Sequence, residues 1–148
     1  MMHTDKQNIE IICADLQHTA DIAKIEQACF STPWSETSIT EALTNPCSHF
    51  YLALIDGNIA GYMGLQIFSG EGYVTNIATL SQYRRQGVAS ALLSKAMQNE
   101  MEFITLEVRK SNDSAIRLYQ KFGFNAVGTR PHFYSHPTES AVLMTRYF

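Results

Sequence analysis

The chain has 148 residues, of which 45% are hydrophobic and 17% are charged. This composition excludes a disordered chain, and the length suits one domain with a buried core, so we expect residues 1–148 to form a single domain. The formal net charge of -3 argues against general nucleic-acid binding, which requires a basic surface. The same charge is compatible with a basic peptide as a partner.

No apolar run approaches the ~18–20 residues that are needed to cross a bilayer, so we expect no membrane anchor. The start, Met1 to Lys6, has no apolar signal core, which argues against export. Cys13, Cys29 and Cys47 are an odd number of cysteines without close pairing. We interpret them as the reduced thiols of a cytoplasmic protein.

The first half of the chain predicts a strand, two helices and three further strands. Apolar residues recur at helical spacing after Asp15, a suitable N-cap, and Pro33 interrupts this first helix. Ser35 can cap a second, short helix, which Asn45-Pro46 ends. Two of the strands are joined by the hairpin signal Asp56-Gly57-Asn58. The predicted strands are Ile9 to Cys13, Phe50 to Ile55, Ile59 to Phe68 and Gly72 to Thr79.

The second half predicts strand–helix–strand units followed by two strands. Helices are expected over Gly87 to Asn99 and Ser114 to Phe122, with Gly123 ending the second one. A loop containing Pro131 and Pro137 is expected before the last strand. The predicted strands are Phe103 to Arg109, Phe124 to Gly128 and Ala141 to Tyr147. The order of elements predicts an α/β (α+β) fold, a mixed central sheet of about six to seven strands with helices on both faces.

A basic turn with small residues lies between the strand ending at Thr79 and the next helix. Gly87 allows positive φ or close approach of the backbone to a ligand, and Ala89 keeps the surface small. The free amides of the first helical turn favour an anion, and Arg84 and Arg85 can add charge. The two common phosphate-binding glycine motifs are absent. The turn is therefore either a site for a nucleotide-type diphosphate or a basic surface turn.

Two signatures in the correct order then resemble one known superfamily. Arg84-x-x-Gly87-x-Ala89 matches the Gln/Arg-x-x-Gly-x-Gly/Ala signature of the GNAT superfamily of N-acetyltransferases. Downstream, Leu106 to Phe124 is similar to its second hallmark, a strand leading through an Asn to a helix that ends in Tyr-x-x-x-Gly-Phe. The resemblance covers most of the chain and implies the GNAT fold, with acetyl-CoA as co-substrate and no metal.

Within that superfamily the chain resembles the bacterial enzymes that acetylate the N-terminal alanine of a small-subunit ribosomal protein. The narrower resemblance implies direct attack by the α-amine through a tetrahedral intermediate. Another N-terminus, a lysine side chain or a small amine remains an alternative acceptor, and a non-catalytic CoA-binding module is a further alternative. Four segments carry the resemblance: Pro33-Trp34-Ser35, Asn76-Ile77-Ala78, Leu106-Glu107-Val108-Arg109 and Arg130 to Tyr134.

Glu107 and Tyr119 are the candidate catalytic residues. Glu107 interrupts an apolar strand, where a carboxylate is costly unless it is solvated or paired. It can act as a base, directly or through one water, or it can form an ion pair with Arg109 on the same strand face. Tyr119 can donate a proton to the leaving sulfur or pack in the core. The resemblance implies that Glu107 is the proton acceptor and Tyr119 the proton donor.

The resemblance also implies which residues contact the cofactor and the acceptor. Asn112 is expected both to contact CoA and to cap the helix that carries Tyr119. Trp34 can line the acceptor groove or belong to the core, and Arg130 and Tyr134 are expected at that groove. His132 and His136 are four apart, but flanking prolines argue against a helix and hence against a metal site. The remaining cofactor contacts are expected from Ile77, Ala78, Thr79, Arg84, Arg85, Gln86, Gly87, Val88, Ala89 and Ser90.

Overall fold

A computed structural model describes residues 8–148; the segment from Met1 to Lys6, from which we expected no export signal, lies outside the described residues. The described chain forms one seven-stranded sheet in the order β1-β2-β3-β4-β5-β7-β6, together with four α-helices. The strands are β1 (Ile9–Cys13), β2 (Ser48–Ile55), β3 (Asn58–Phe68), β4 (Glu71–Thr79), β5 (Phe103–Arg109), β6 (Asn125–Tyr134) and β7 (Glu139–Tyr147). The helices are α1 (Thr19–Cys29), α2 (Glu36–Thr44), α3 (Val88–Ala96) and α4 (Asp113–Lys121).

The predicted fold class is confirmed, because the sheet is mixed and its elements follow the predicted order. β4 and β5 are parallel, and the other neighbouring strands are antiparallel. Ser35 caps α2 by accepting from the amide of Ser38 at 3.1 Å. Asp15 caps a short 3-10 turn that leads into α1. Gly123 follows α4 with φ of +86°, as expected for a residue that ends a helix.

Two apolar clusters cover the two faces of the sheet. Strand β2 shows the alternation that separates them: Phe50 and Leu52 pack with α1 and α2, whereas Tyr51 and Ala53 pack with α3. Ile22 of α1 is fully buried in the first cluster. The helices therefore lie on both faces, as the sequence predicts.

The segment around Pro131 differs from the prediction of a loop. β6 continues through Pro131 to Tyr134 and pairs with β7, with a register shift between Arg130 and Tyr134. The physical reason is the position of β6 at the edge of the sheet, where a proline that lacks an amide hydrogen breaks no ladder on its open side. Helix α3 also ends earlier than predicted, at Ala96.

The middle of the sheet opens between β4 and β5. These strands pair over only three residues each, Glu71–Tyr73 with Phe103–Thr105, although both continue beyond. The pairing of β4 with β3 shifts between Val74 and Asn76, so Thr75 forms a bulge. The opening leaves two strand edges facing each other without a ladder in the described chain. No helix within residues 8–148 is long and apolar enough to span a membrane.

Candidate active site

The opening between β4 and β5 forms a cleft of about 560 Å³. Its walls come from both strands, from the segment between α1 and α2, from the start of α4 and from the turn between β6 and β7. Six residues that the sequence singles out line this cleft together: Trp34, Ile77, Glu107, Asn112, Tyr119 and Tyr134. Ala78, Thr79, Arg84 to Ser90 and Arg130 are not part of its lining.

Glu107 lies on the face of β5 opposite Leu106 and Val108, which are buried against the α3 side of the sheet. Its side chain is 7% exposed, so its charge is compensated by direct contacts. The Tyr73 hydroxyl donates a hydrogen bond to Oε1, and Arg130 Nε lies 3.1 Å from Oε2. The sequence left open an ion pair between Glu107 and Arg109. That alternative is wrong, because Glu107 pairs across the sheet with Arg130.

Two tyrosines, Tyr119 and Tyr134, line the same cleft as this carboxylate. Tyr119 is 5% exposed and packs against Phe124, with ring centroids 5.8 Å apart. Burial raises the pKa of Tyr119, so its phenol holds its proton well into the alkaline range. Burial and the Glu107 charge raise the pKa of Tyr134 to about 12. Both phenols are therefore hydrogen-bond donors at neutral pH.

The basic turn begins α3 with its backbone donors free for a ligand. Gly87 is the N-cap residue with φ of +88°, a conformation that favours glycine. Ala91 donates to the Gly87 carbonyl at 2.9 Å, so the amides of residues 88–90 precede the first intrahelical bond. The Val88 side chain is buried, so only its amide can face a ligand. Such a helix start suits a diphosphate.

Other residues of the predicted cofactor site have internal partners. The carbonyl of Thr79 accepts from Arg84 Nε at 3.3 Å and from the thiol of Cys29 at 3.4 Å. The guanidinium of Arg84 therefore ties the basic turn to the end of β4. Asn112 caps α4 as predicted, because its Oδ1 accepts from the amide of Ala115 at 3.3 Å.

Comparison with known proteins gives a family match. Residues 19–124 match the acetyltransferase (GNAT) family. The chain belongs to that family. It is an acetyl-CoA-dependent N-acetyltransferase.

This acetyltransferase aligns with individual relatives over most of its own length and most of theirs. It is 35% identical over 129 residues to the [ribosomal protein bS18]-alanine N-acetyltransferase of Escherichia coli (strain K12), with 81% of this chain and 84% of that protein covered. It is 34% identical to an N-alpha-acetyltransferase of Sulfurisphaera tokodaii, with 88% of each chain covered. The crystal structure of the ribosomal-protein-S18-alanine N-acetyltransferase from Escherichia coli superposes with a TM-score of 0.87 at 28% identity, covering 94% of this chain and 93% of that one.

The sequence reasoning missed two residues that organise the acetyltransferase's cleft. Tyr73 lies 34 positions before Glu107, and the last rung of the short β4–β5 ladder brings the two together. Burial and the hydrogen bond to Glu107 raise the pKa of Tyr73, so it remains a donor. Glu26 of α1 is 1% exposed and also lines the cleft. Neither residue belongs to a recognisable local motif: the pairing of β4 with β5 places Tyr73, and the packing of α1 on the sheet places Glu26.

Arg109 has a role that the sequence did not suggest: it holds the turn between β6 and β7. Its guanidinium donates to the carbonyls of Ser135 and Pro137 at 3.2 and 3.0 Å and lies 4.5 Å from the centre of the Tyr134 ring. It also pairs with Glu139 at 3.2 Å. Glu139 in turn accepts from the Ser111 amide at 2.6 Å, which connects this turn to the start of α4.

Proposed function

We propose that this enzyme transfers the acetyl group of acetyl-CoA to the N-terminal α-amino group of alanine in a small-subunit ribosomal protein. One relative supports the ribosomal alanine, and a second supports an α-amino acceptor in general. The Escherichia coli relative is named for the alanine of ribosomal protein bS18, and the Sulfurisphaera tokodaii relative is named an N-alpha-acetyltransferase.

The observation that carries the proposal is the Glu107 carboxylate in the opening between β4 and β5. Glu107 is nearly buried, yet it lines the cleft, as Tyr119 and Tyr134 also do. An α-amino group has a pKa of ~7.7–8.0, so roughly a tenth of it is neutral at pH 7, whereas a lysine at ~10.4 is almost entirely charged. One carboxylate base therefore suits an N-terminal amine better than a lysine.

The residues present fit acetyl-CoA as the second substrate. The amides of Gly87, Val88, Ala89 and Ser90 would hold its diphosphate, and the unpaired edge of β4 at Ile77 and beyond would pair with its extended arm. Gln86, Arg84, Arg85 and Asn112 would complete this contact. Acetyl-CoA supplies the activated acetyl thioester.

Side chains of this enzyme would then accept one proton and donate another. Glu107 would accept the proton that the amine releases, directly or through one water, and Arg130 and Tyr73 would keep the carboxylate in position. Tyr119 would hold a proton on its phenol oxygen for the departing sulfur. Trp34 and Tyr134 would border the acceptor's first residues, because both line the cleft.

The test compares acceptors and then cells. Purified protein and acetyl-CoA are incubated with a lysine-free peptide that begins with a free alanine and with an N-terminally blocked peptide that contains one lysine. We expect mass spectrometry to show an added acetyl group on the first peptide at least tenfold faster. In cells that lack the enzyme, one small-subunit ribosomal protein should lose its N-terminal acetyl group. If every N-terminus keeps its acetyl group in these cells, the assignment of a ribosomal acceptor is wrong. If the lysine peptide is acetylated faster than the alanine peptide, the acceptor is a lysine side chain and not an α-amine.

We also propose that the enzyme works in the cytoplasm, where its acceptor is synthesised. The free thiols of Cys13, Cys29 and Cys47 are compatible with a reducing compartment. Fractionation of cells that carry a tagged copy should recover it with the cytoplasmic markers, and recovery in a membrane or exported fraction would contradict the assignment.

A further inference from the structure

A buried polar network in the wall of the cleft has one member whose oxygen lacks a partner among the described residues. Glu26 Oε1 accepts from the amide of Trp34 at 2.8 Å. Its Oε2 accepts from the hydroxyl of Tyr62, at 2.5 Å, and from Asn76 Nδ2, at 3.1 Å. Asn76 Oδ1 is buried and has no hydrogen-bond partner among the described residues.

The orientation of the Asn76 amide follows from this network. Oε2 of Glu26 accepts from both the Tyr62 hydroxyl and Asn76 Nδ2, so the NH2 group of Asn76 faces Glu26. The amide oxygen of Asn76, Oδ1, then faces away from Glu26. Rotating the amide by half a turn would place this oxygen against Oε2 of Glu26, so that two hydrogen-bond acceptors would face each other. A buried acceptor without a partner is costly, which is a reason to expect a donor from a ligand.

Strand register places the Asn76 side chain opposite Glu107 across the cleft. Tyr73 and Thr105 form the last rung between β4 and β5. Glu107 is two residues further along β5, and Asn76 is three further along β4, of which Thr75 is taken up by the bulge. The two side chains therefore stand at about the same height on the two walls of the cleft, which both of them line. Both also project from the sheet face that α1 covers.

We propose that Asn76 Oδ1 accepts a hydrogen bond from the α-amino group of the substrate peptide, and that Glu26 is the positioning residue that fixes this oxygen. The inference rests on the proposed function. A neutral primary amine has two N–H bonds and one lone pair. With one N–H directed at Glu107 and the other at Asn76, the lone pair is left free to attack. A secondary amine has a single N–H, which must go to the base, so nothing remains for Asn76. The pair thus selects primary over secondary amines.

The experiment measures this selection with two lysine-free peptides, one beginning with alanine and one with N-methylalanine. For wild type, Asn76→Leu and Glu26→Gln, we determine kcat and KM for each peptide and KM for acetyl-CoA. Asn76→Leu should lower kcat/KM for the alanine peptide about five- to tenfold and hardly affect the N-methylalanine peptide. The preference for the primary amine therefore falls by the same factor, while KM for acetyl-CoA stays within about twofold.

Glu26→Gln tests the positioning role without altering Asn76. A glutamine that still accepts from the Trp34 amide presents its NH2 group to Asn76, which then turns its own NH2 group into the cleft. The preference should fall as in Asn76→Leu, and the double variant should be no worse than Asn76→Leu alone. Ser48→Ala is the matched control, because Ser48 Oγ is also buried without a partner but lies outside the cleft. Its kinetics should equal wild type.

Thermal melts establish that each variant is folded, and if Asn76→Leu does not fold, Glu26→Gln carries the test. An unchanged preference in an active, folded variant overturns the inference and leaves the proposed function standing. A rise in KM for acetyl-CoA with unchanged preference also overturns it, because the oxygen would then serve the cofactor. A wild-type protein that does not acetylate the alanine peptide at all contradicts both.

Discussion

Replacing Glu107 by glutamine removes the base, together with the ion pair to Arg130, while the side chain keeps its shape. Glutamine keeps the shape and an oxygen that can accept from Tyr73, but it cannot take a proton from the amine. We expect kcat to fall by about 10²- to 10³-fold, within the usual range for general bases, with KM for acetyl-CoA nearly unchanged. Steady-state kinetics measure both constants. A Glu107→Gln enzyme that retains more than half of the wild-type kcat would rule out the assigned role.

The pH profile tests Tyr119. Because burial raises its pKa above the ordinary ~10, the protonated phenol is the only form present from pH 7 to 10. The activity should therefore rise with pH as the acceptor's α-amine loses its proton, near ~7.7–8.0, and then stay level to about pH 10. Tyr119→Phe should lower kcat at every pH in this range without moving the rising limb. A wild-type decline that begins near pH 8 and is absent in Tyr119→Phe would contradict the raised pKa.

The residues of the site were predictable to the extent that they belong to local motifs. Glu107, Tyr119 and Asn112 all line the cleft, and the cap formed by Asn112 follows from its spacing to α4. The partners of Glu107 were not predictable, because Tyr73 and Arg130 reach it from β4 and β6 through the sheet pairing. Periodicity places a side chain on a face but does not give its neighbours on other strands.

At the level of elements, Gly87 provides a test of the basic turn. Alanine at φ of +88° costs ~1–2 kcal/mol in stability. Gly57→Ala is a matched control, since Gly57 has φ of +80° in a hairpin turn with nothing within 4 Å of an added Cβ. We expect similar losses of stability in both variants, but only Gly87→Ala should weaken CoA binding, about tenfold, because the turn's amides are redirected. Equal CoA affinities in calorimetry would exclude the turn as the diphosphate site.

The turn between β6 and β7 depends on Arg109. Removing the guanidinium takes away two bonds to turn carbonyls and the contact with the Tyr134 ring, so Arg109→Ala should loosen one wall of the acceptor groove. We expect the KM for the peptide to rise about tenfold, with a smaller change in KM for acetyl-CoA. Hydrogen exchange should increase over residues 133–138. Arg117 is an exposed arginine on α4, and Arg117→Ala should change neither the KM for the peptide nor the hydrogen exchange of these residues. A fall in kcat alone in Arg109→Ala would contradict the positioning role of Arg109.

The types of the elements and their order along the chain could be predicted from the sequence, but the order of the strands in the sheet could not. Strands and helices follow from alternation, caps and turns, all of which are local. The extension of β6 through Pro131 depends on its place at the sheet edge, and the opening between β4 and β5 depends on where their pairing stops. Both are properties of the assembled sheet, so a local pattern that breaks strands elsewhere does not do so here.

The short ladder between β4 and β5 also gives a prediction for the whole molecule. β1 to β4 and β5 to β7 are joined within the sheet by only three rungs, so a ligand that bridges the opening should stabilise both parts together. Acetyl-CoA at 100 times its Kd should add ~2.7 kcal/mol, which corresponds to a rise in Tm of roughly 5–10 °C for a chain of this length. Hydrogen exchange should slow on both facing edges, residues 74–79 and 106–109. Pantetheine at the same concentration lacks the diphosphate and should raise Tm less; protection confined to β4 would mean that the ligand does not bridge the sheet.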